Sequence, residues 1–296
     1  MNPSKIYVII NNQSGTQQPH QAMQAIENQW GDTATNITYQ ISQSIADGQE
    51  KIRKAIQTHP DLILIIGGDG TLNSLAKELL HSSIPVGIIP TGSGNGFARH
   101  FNIPLHPQKA AQALRHGDIV SIDAGLVNGH PFFITCSLAW EARLTEAFEQ
   151  YPFRGLAPYL LAGAQQLIEY QPHPITFTTH DERTTIQSPL IFTIANLSQF
   201  GNGFYVAPDA KADSGTLELI AIERHHLPIF LTHLPQFIDK TFHKNPYVLH
   251  RHFQSIQIER TNATPLQIDG ELLHTTQDIE IKVAPAALQI LIPKST

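Results

Sequence analysis

The stretch LILIIGGDGTLN, Leu62 to Asn73, constrains this chain more than any other feature. Its unbroken apolar run from Leu62 to Ile66 reads as a strand buried on both faces, the pattern of a central strand in a parallel sheet. The run empties into Gly67, Gly68 and Gly70, which can take backbone angles that other residues avoid and let a ligand approach with no Cβ in the way. Around it, Lys5–Ile10 reads as strand, His20–Trp30 as helix, Asn36–Ser42 as strand and Asp47–His59 as helix. Beyond it come a helix over Asn73–Leu80, a strand over Pro85–Pro90 and a helix over Pro107–Arg115. This alternation predicts a three-layer α/β/α domain, with ligands outside the carboxyl ends of the strands.

After Asp123 the rhythm changes to short strands punctuated by turns: Ala124–Gly129, His130–Leu138, Ile175–Glu182, Ser188–Leu197, Gly215–Glu223, Phe253–Thr261, Pro265–Leu273 and Asp278–Pro285. This half predicts an antiparallel β-sandwich. Two helical inserts interrupt it, Leu156–Tyr170 and Pro228–Phe242, the second with an apolar face of Leu227, Phe230, Leu231, Leu234, Phe237, Ile238 and Phe242. The expected domains are therefore 1–123, α/β and nucleotide-binding, and 124–284, a β-sandwich, with a tail over 285–296 returning to the first domain.

Composition narrows the function classes. With 296 residues, 41% hydrophobic and 15% charged, the chain is expected to be a soluble two-domain protein. The apolar run Ile6–Ile10 is too short for a signal segment or a membrane span, so a cytoplasmic location is expected. A net charge of −6 without a Lys/Arg cluster argues against nucleic acid as a partner and against a purely electrostatic membrane anchor. The one cysteine, Cys136, reads as a buried small apolar side chain. Sixteen histidines occur without HExxH or Cys/His zinc spacing, and most read as surface and loop residues.

Three turns follow strand ends in the first half: Asn11–Gly15, Gly67–Thr71 and Pro90–Arg99. In a parallel sheet they share one edge. Their backbone N–H groups, with the positive ends of helices starting near Asn73 and Asn95, suit an anion such as phosphate. No Gly-Lys pair is present, which excludes a P-loop, and Phe97 stands where a dinucleotide fingerprint needs its third glycine. Asp69 inside a glycine cradle would repel phosphate unless a cation such as Mg²⁺ and its waters stood between them.

GGDGTLN at 67–73, IPTGSGNGFAR at 89–99, IDAGLVNG at 122–129, the Ala207-Pro208-x-Ala210 segment and IDGELL at 268–273 together resemble the diacylglycerol kinase catalytic family, whose relatives include sphingosine, ceramide and bacterial lipid kinases. The match runs over nearly the whole chain. The resemblance implies ATP bound between an α/β domain and a β-sandwich, with Mg²⁺ and transfer of the γ-phosphoryl group to a lipid hydroxyl, diacylglycerol or a sphingoid-type acceptor. It implies nucleotide contacts from Asn11, Ser14, Gly15, Gly67, Gly68, Asp69, Gly70, Thr71, Asn73, Gly92, Ser93 and Asn95. It also implies Asp69 and Asp123 in the metal and water network, Asp269 as general base, and Glu271 as its support or a nucleotide contact. On local pattern alone, Asp269-Gly270 reads as a hairpin turn.

The chain departs from the family at three places. Asn95 is followed by Gly96 where relatives often carry an aspartate; Ser214 stands, after Asp213, where a structural metal loop usually has Asp; and Ala139-Trp140 replaces a Gly-Phe pair. The alternative functions are a kinase for a soluble hydroxyl compound such as NAD, and a catalytically weak lipid-binding member of the family. Lipid use implies transient contact with the inner face of the membrane, through the Phe-rich face of Pro228–Phe242 and the segment Tyr151–Leu161, and the chain is compatible with a homodimer.

Overall fold

The computed structural model describes residues 3–11, 18–31, 34–92, 94–150, 167 and 169–294. The chain divides into two units, Met1–Asp123 with Pro285–Thr296, and Ala124–Ala284. The first unit runs β1 (Lys5–Asn11), α1 (Gln18–Trp30), β2 (Asn36–Ser42), α2 (Ile45–Gln57), β3 (Leu62–Gly67), α3 (Asp69–Ala76), β4 (Val86–Pro90), α4 (Gly96–His100), α5 (Pro107–Arg115) and the start of β5 (Asp118–Val127). Its strands pair in parallel in the order β2-β1-β3-β4.

Every residue of β3 is buried, as an apolar run covered on both faces requires. Helix α2 starts where Ser44 accepts a hydrogen bond from the Asp47 N–H, and an Asp47–Lys51 pair one turn apart supports its exposed side. Ile52 and Ala55 carry its buried face. The expected helix at Asn73 begins earlier: Gly68 is extended and serves as N-cap, so α3 starts at Asp69 and draws most of the glycine turn into its first turn.

The second unit continues with β6 (His130–Phe132), β7 (Thr135–Ser137), α6 (Trp140–Gln150), β8 (Ile175–Thr179), β9 (Glu182–Ile186), β10 (Pro189–Ala195), β11 (Gln199–Gly201), β12 (Phe204–Tyr205) and β13 (Leu217–Glu223). Then follow α7 (Leu227–Thr232), α8 (Gln236–Asp239), β14 (Leu249–Phe253), β15 (Ser255–Arg260), β16 (Leu266–Ile268), β17 (Glu271–Leu273) and β18 (Ile279–Ile292). Near its end β18 lies in the first unit, where Ile290 pairs in parallel with Val86.

One antiparallel sheet has the order β14-β13-β10-β7-β16-β17, and β18, β15, β8 and β9 form the facing layer. Phe192, Ile194, Leu217, Leu219 and Phe253 from the first meet Phe177, Ile256, Ile258, Ile279 and Ile281 from the second in one apolar core. Strand β15 alternates exposed and buried residues, whereas β10 is buried throughout. The difference arises because a second apolar cluster, including Ile191, Ile220, Ile222, Phe230, Phe237 and Phe242, covers the other face of the β10 sheet.

The expected continuous helix Pro228–Phe242 is corrected to two short helices, α7 and α8, followed by a single 3₁₀ turn over Phe242–Lys244. Pro235 causes the break. It has no N–H to donate and disfavours helical backbone in the residue before it, so it stands as the N-cap of α8. Lys240 ends α8 in the left-handed region, with φ 65°. Of the predicted face, Phe230, Phe237 and Phe242 are buried, while Leu231, Leu234 and Ile238 are exposed. The insert expected at Leu156–Tyr170 lies mostly outside the described residues, as does Tyr151–Leu161.

Candidate active site

The strand-end turns of the first unit are tied to one another by specific contacts. Asn11, at the end of β1, donates from Nδ2 to Thr71 Oγ1 in the first turn of α3 at 2.7 Å. The Asp69 carboxylate reaches across to α4, accepting from the Gly96 N–H at 2.8 Å and the Phe97 N–H at 3.0 Å. Asn95 holds the third turn: its Oδ1 accepts from the Gly92 N–H, its Nδ2 donates to the Gly92 carbonyl, and its φ of 49° is in the left-handed region. The Thr91 N–H donates to the Gly67 carbonyl at 2.9 Å.

The glycines act by close approach. Gly67, Gly68 and Gly70 are absent from the positive-φ residues, so none of them uses the left-handed freedom open to glycine. A Cβ on Gly92 would lie 2.7 Å from the Gly68 Cα, and one on Gly67 would lie 2.6 Å from the Thr71 Cβ. Two turns therefore pack backbone against backbone, a contact that no residue with a side chain permits.

The role of Asp69 also changes. Burial pushes its carboxyl above the ordinary range, opposed by the Phe97 and Gly96 N–H groups and by the Arg99 charge. The two N–H groups that the sequence offered to phosphate at the start of α4 are thus already occupied by this carboxylate. The first turn of α3, Asp69 to Thr71, carries the N–H groups that lack an acceptor within their own helix. Arg99, whose Nε donates to the Gly94 carbonyl at 3.1 Å, is a cation beside this cradle, and nothing in its sequence context singles it out.

Asn73 is buried in α3. Asp123 is buried on β5 and accepts from the Ala286 N–H at 2.9 Å. Among the described residues, neither Asp69 nor Asp123 belongs to a group of three clustered acidic, histidine or cysteine side chains. Ser14, Gly15 and Ser93 lie outside the described residues.

In the second unit, Asp269 and Gly270 form the two-residue loop of the β16–β17 hairpin, with Ile268 paired to Glu271 and φ values of 50° and 90°. The turn has a second role. The Asp269 side chain is buried, with Oδ2 accepting from the Phe133 N–H at 2.7 Å and Oδ1 from the Ile134 and Thr135 N–H groups at 2.8 and 2.9 Å. Three backbone donors hold this carboxylate in one orientation. Glu271, two residues on, is half-buried at the start of β17.

A further acidic group lies nearby in sequence to the β7 contacts. Glu141 Oε1 accepts from Thr193 Oγ1 at 2.6 Å and from the Phe192 N–H at 3.0 Å, and Thr193 also bonds Ser137 Oγ. Burial pushes the Glu141 carboxyl up to about 7. Trp140, beside it, turns into the outer apolar cluster and meets the Phe230 ring edge-on. Cys136 is fully buried, and burial raises its thiol well above the usual range, as its reading as an inert side chain requires. Asp213 is exposed, and Ser214 bonds Thr216 within its own loop.

A parallel α/β unit with interlocked glycine turns at its strand ends, followed by a β-sandwich with a backbone-held aspartate on a hairpin, is a two-unit architecture with a family of its own. The comparisons place the chain within it. Residues 5–127 match the diacylglycerol kinase catalytic domain and residues 135–292 match the YegS C-terminal NAD kinase beta sandwich-like domain, and the chain belongs to this lipid and diacylglycerol kinase family. It is 26% identical over 267 residues to a probable YegS-like lipid kinase of Shewanella frigidimarina, covering 87% of this chain and 84% of that one. It is 26% identical over 259 residues to the diacylglycerol kinase of Bacillus subtilis, covering 85% and 83%. An uncharacterised Synechocystis protein is 27% identical over 268 residues, 87% of this chain but 61% of that longer one. The crystal structure of a diacylglycerol kinase homologue from Bacillus anthracis has the same fold, with a TM-score of 0.80, 18% identity and full coverage of both chains.

Proposed function

We propose that this protein is an ATP-dependent lipid kinase that transfers the γ-phosphoryl group to the hydroxyl of a diacylglycerol or sphingoid-type acceptor. The observation that carries the reading is the interlocking of the turns through Asn11–Thr71, Asp69–Gly96 and Gly68–Gly92, which gathers their backbone into one surface at the first turn of α3, where the N–H groups lack an acceptor within the helix. That surface suits the phosphates of a nucleotide, with Asn11, Gly67, Gly68, Gly70, Thr71, Gly92 and Asn95 shaping it and Arg99 adding positive charge.

By the family resemblance, Asp69 and Asp123 would hold the water shell of a Mg²⁺ ion, which when bound neutralises phosphate charge. Phosphoryl transfer needs alignment and charge neutralisation more than bond making. The remaining task is to take a proton from the acceptor. Asp269 receives it as the hydroxyl oxygen bonds to the γ-phosphorus, the bond to the β-phosphate oxygen breaks and ADP leaves; Glu271 supports the hairpin that carries Asp269. Such a base contributes about 10²- to 10⁴-fold in rate.

An acceptor in a bilayer requires contact with a membrane surface. Leu231, Leu234 and Ile238, exposed on and beside α7 and α8, supply apolar side chains for transient docking. Among the described residues no helix is long and apolar enough to cross a membrane.

Labelled ATP offered with diacylglycerol, monoacylglycerol, sphingosine, ceramide, phosphatidylglycerol and NAD tests the reading. Labelled phospholipid is the expected product. Label on NAD alone would move the assignment to a soluble acceptor, and no product from any acceptor would leave a lipid-binding protein.

A further inference from the structure

We propose that Glu218, His250 and His252 form a binding site for a divalent transition-metal ion, of which zinc is the best match, on the β13–β14 pair of the second unit. The placement follows from strand periodicity. His250 and His252 are separated by one residue on β14, so both imidazoles project from the same face, and the register sets His252 directly opposite Glu218 on β13.

The donor atoms converge. His250 Nε2 lies 2.9 Å from Glu218 Oε2, and His252 Nδ1 lies 3.8 Å from Glu218 Oε1. One ligand atom from each residue falls within 4.8 Å of the others. Zinc bonds of about 2.0–2.1 Å in tetrahedral geometry space donors about 3.3 Å apart, so adjustments of about an ångström complete the set. Two imidazoles and one carboxylate favour zinc or a similar borderline cation over Mg²⁺ or Ca²⁺, which take oxygen donors.

Burial supplies the second argument. The Glu218 side chain is only 4% exposed, and among the described residues its ion-pair partners within 4.0 Å are these two histidines. A buried carboxylate calls for a compensating positive charge close by, which a dication on this donor set supplies. The His252 side chain is 56% exposed, which gives an entry path and room for a water as fourth ligand. A third imidazole, His243, stands edge-on to His250 with ring centroids 5.8 Å apart.

The test uses untagged full-length protein, stripped with chelator and held in excess Mg²⁺ so that oxygen-donor sites are masked. Zn²⁺ is titrated by calorimetry, and Co²⁺ is followed by the visible absorption of its nitrogen-ligated form. One ion per chain is expected, with thermal unfolding moved upward by Zn²⁺. His252→Ala, at the exposed position where folding is not at stake, and His250→Ala should each weaken binding by more than about 100-fold, beyond the loss from removing an outer-shell partner. Absence of micromolar Zn²⁺ binding in the wild type, or undiminished binding in both variants, overturns the proposal and leaves the cluster a histidine–glutamate ion pair.

Discussion

The glycines of the turns after β3 and β4 are fixed by what touches them. Gly92→Ala places a methyl 2.7 Å from the Gly68 Cα, so one turn must move, at a cost of about 1–3 kcal/mol. Thermal denaturation should record that loss, and nucleotide titration should show binding weakened at least about tenfold, since 1.4 kcal/mol is a factor of ten. Asp69→Asn keeps one acceptor where two N–H groups now bond; about 1 kcal/mol of stability, the usual worth of a cap, should go with the second bond. Glu141 gives a pH signature. Its carboxyl is raised by burial to about 7 from 4.5, so the folded state keeps a proton that the unfolded state has released. Its contribution to stability is full below pH 4.5 and is lost as pH rises through 7. Unfolding midpoints measured from pH 4.5 to 8 should therefore slope less in Glu141→Gln than in the wild type. Residue types in the turns were legible from sequence because few other patterns put Gly, Asp and Asn after a buried strand. Their contacts were not: nothing in GGDGT says that its aspartate caps a helix beginning twenty-seven residues later, or that Arg99 stands beside it.

At the scale of elements, the pattern of burial decided what could be read. Continuous apolar residues in β3 and alternation in β15 each have one explanation, and both strands are where the sequence puts them. The stretch Pro228–Phe242 failed because helical spacing of apolar residues says nothing about whether a proline interrupts the backbone. The break sends Phe230, Phe237 and Phe242 inward, where Phe237 and Phe242 stack with ring centroids 3.9 Å apart, and leaves Leu231, Leu234 and Ile238 exposed. Changing these three exposed residues to Asp should reduce co-sedimentation with liposomes while leaving the unfolding temperature within about 5 °C of wild type, as three surface changes of up to about 0.5 kcal/mol each do. Equal co-sedimentation of the triple variant would remove this face from the membrane contact. His250-x-His252 was likewise present in the sequence, but its meaning depends on Glu218, a strand away and thirty-two residues earlier.

For the whole molecule, the α/β and β-sandwich halves were legible because the change from helix–strand alternation to short strands is a property of long segments, and many residues vote on it. The candidate site was legible only as a set of parts. Asn11 bonds Thr71, Asn95 bonds Gly92 and Asp69 bonds the Gly96 and Phe97 backbone, whereas Asp123 bonds the Ala286 backbone and Asp269 the Phe133–Thr135 backbone. The proposed function divides the work: the turns of the first unit would bind nucleotide, and Asp269 would take the proton. Single-turnover phosphoryl transfer from ATP to the accepted lipid, with nucleotide affinity and thermal unfolding measured on the same Asp269→Asn preparation, tests that division most directly. The predicted result is unchanged nucleotide affinity in a folded protein whose transfer rate has fallen about 10²- to 10⁴-fold; transfer at the wild-type rate, or loss of nucleotide binding in place of transfer, would contradict it.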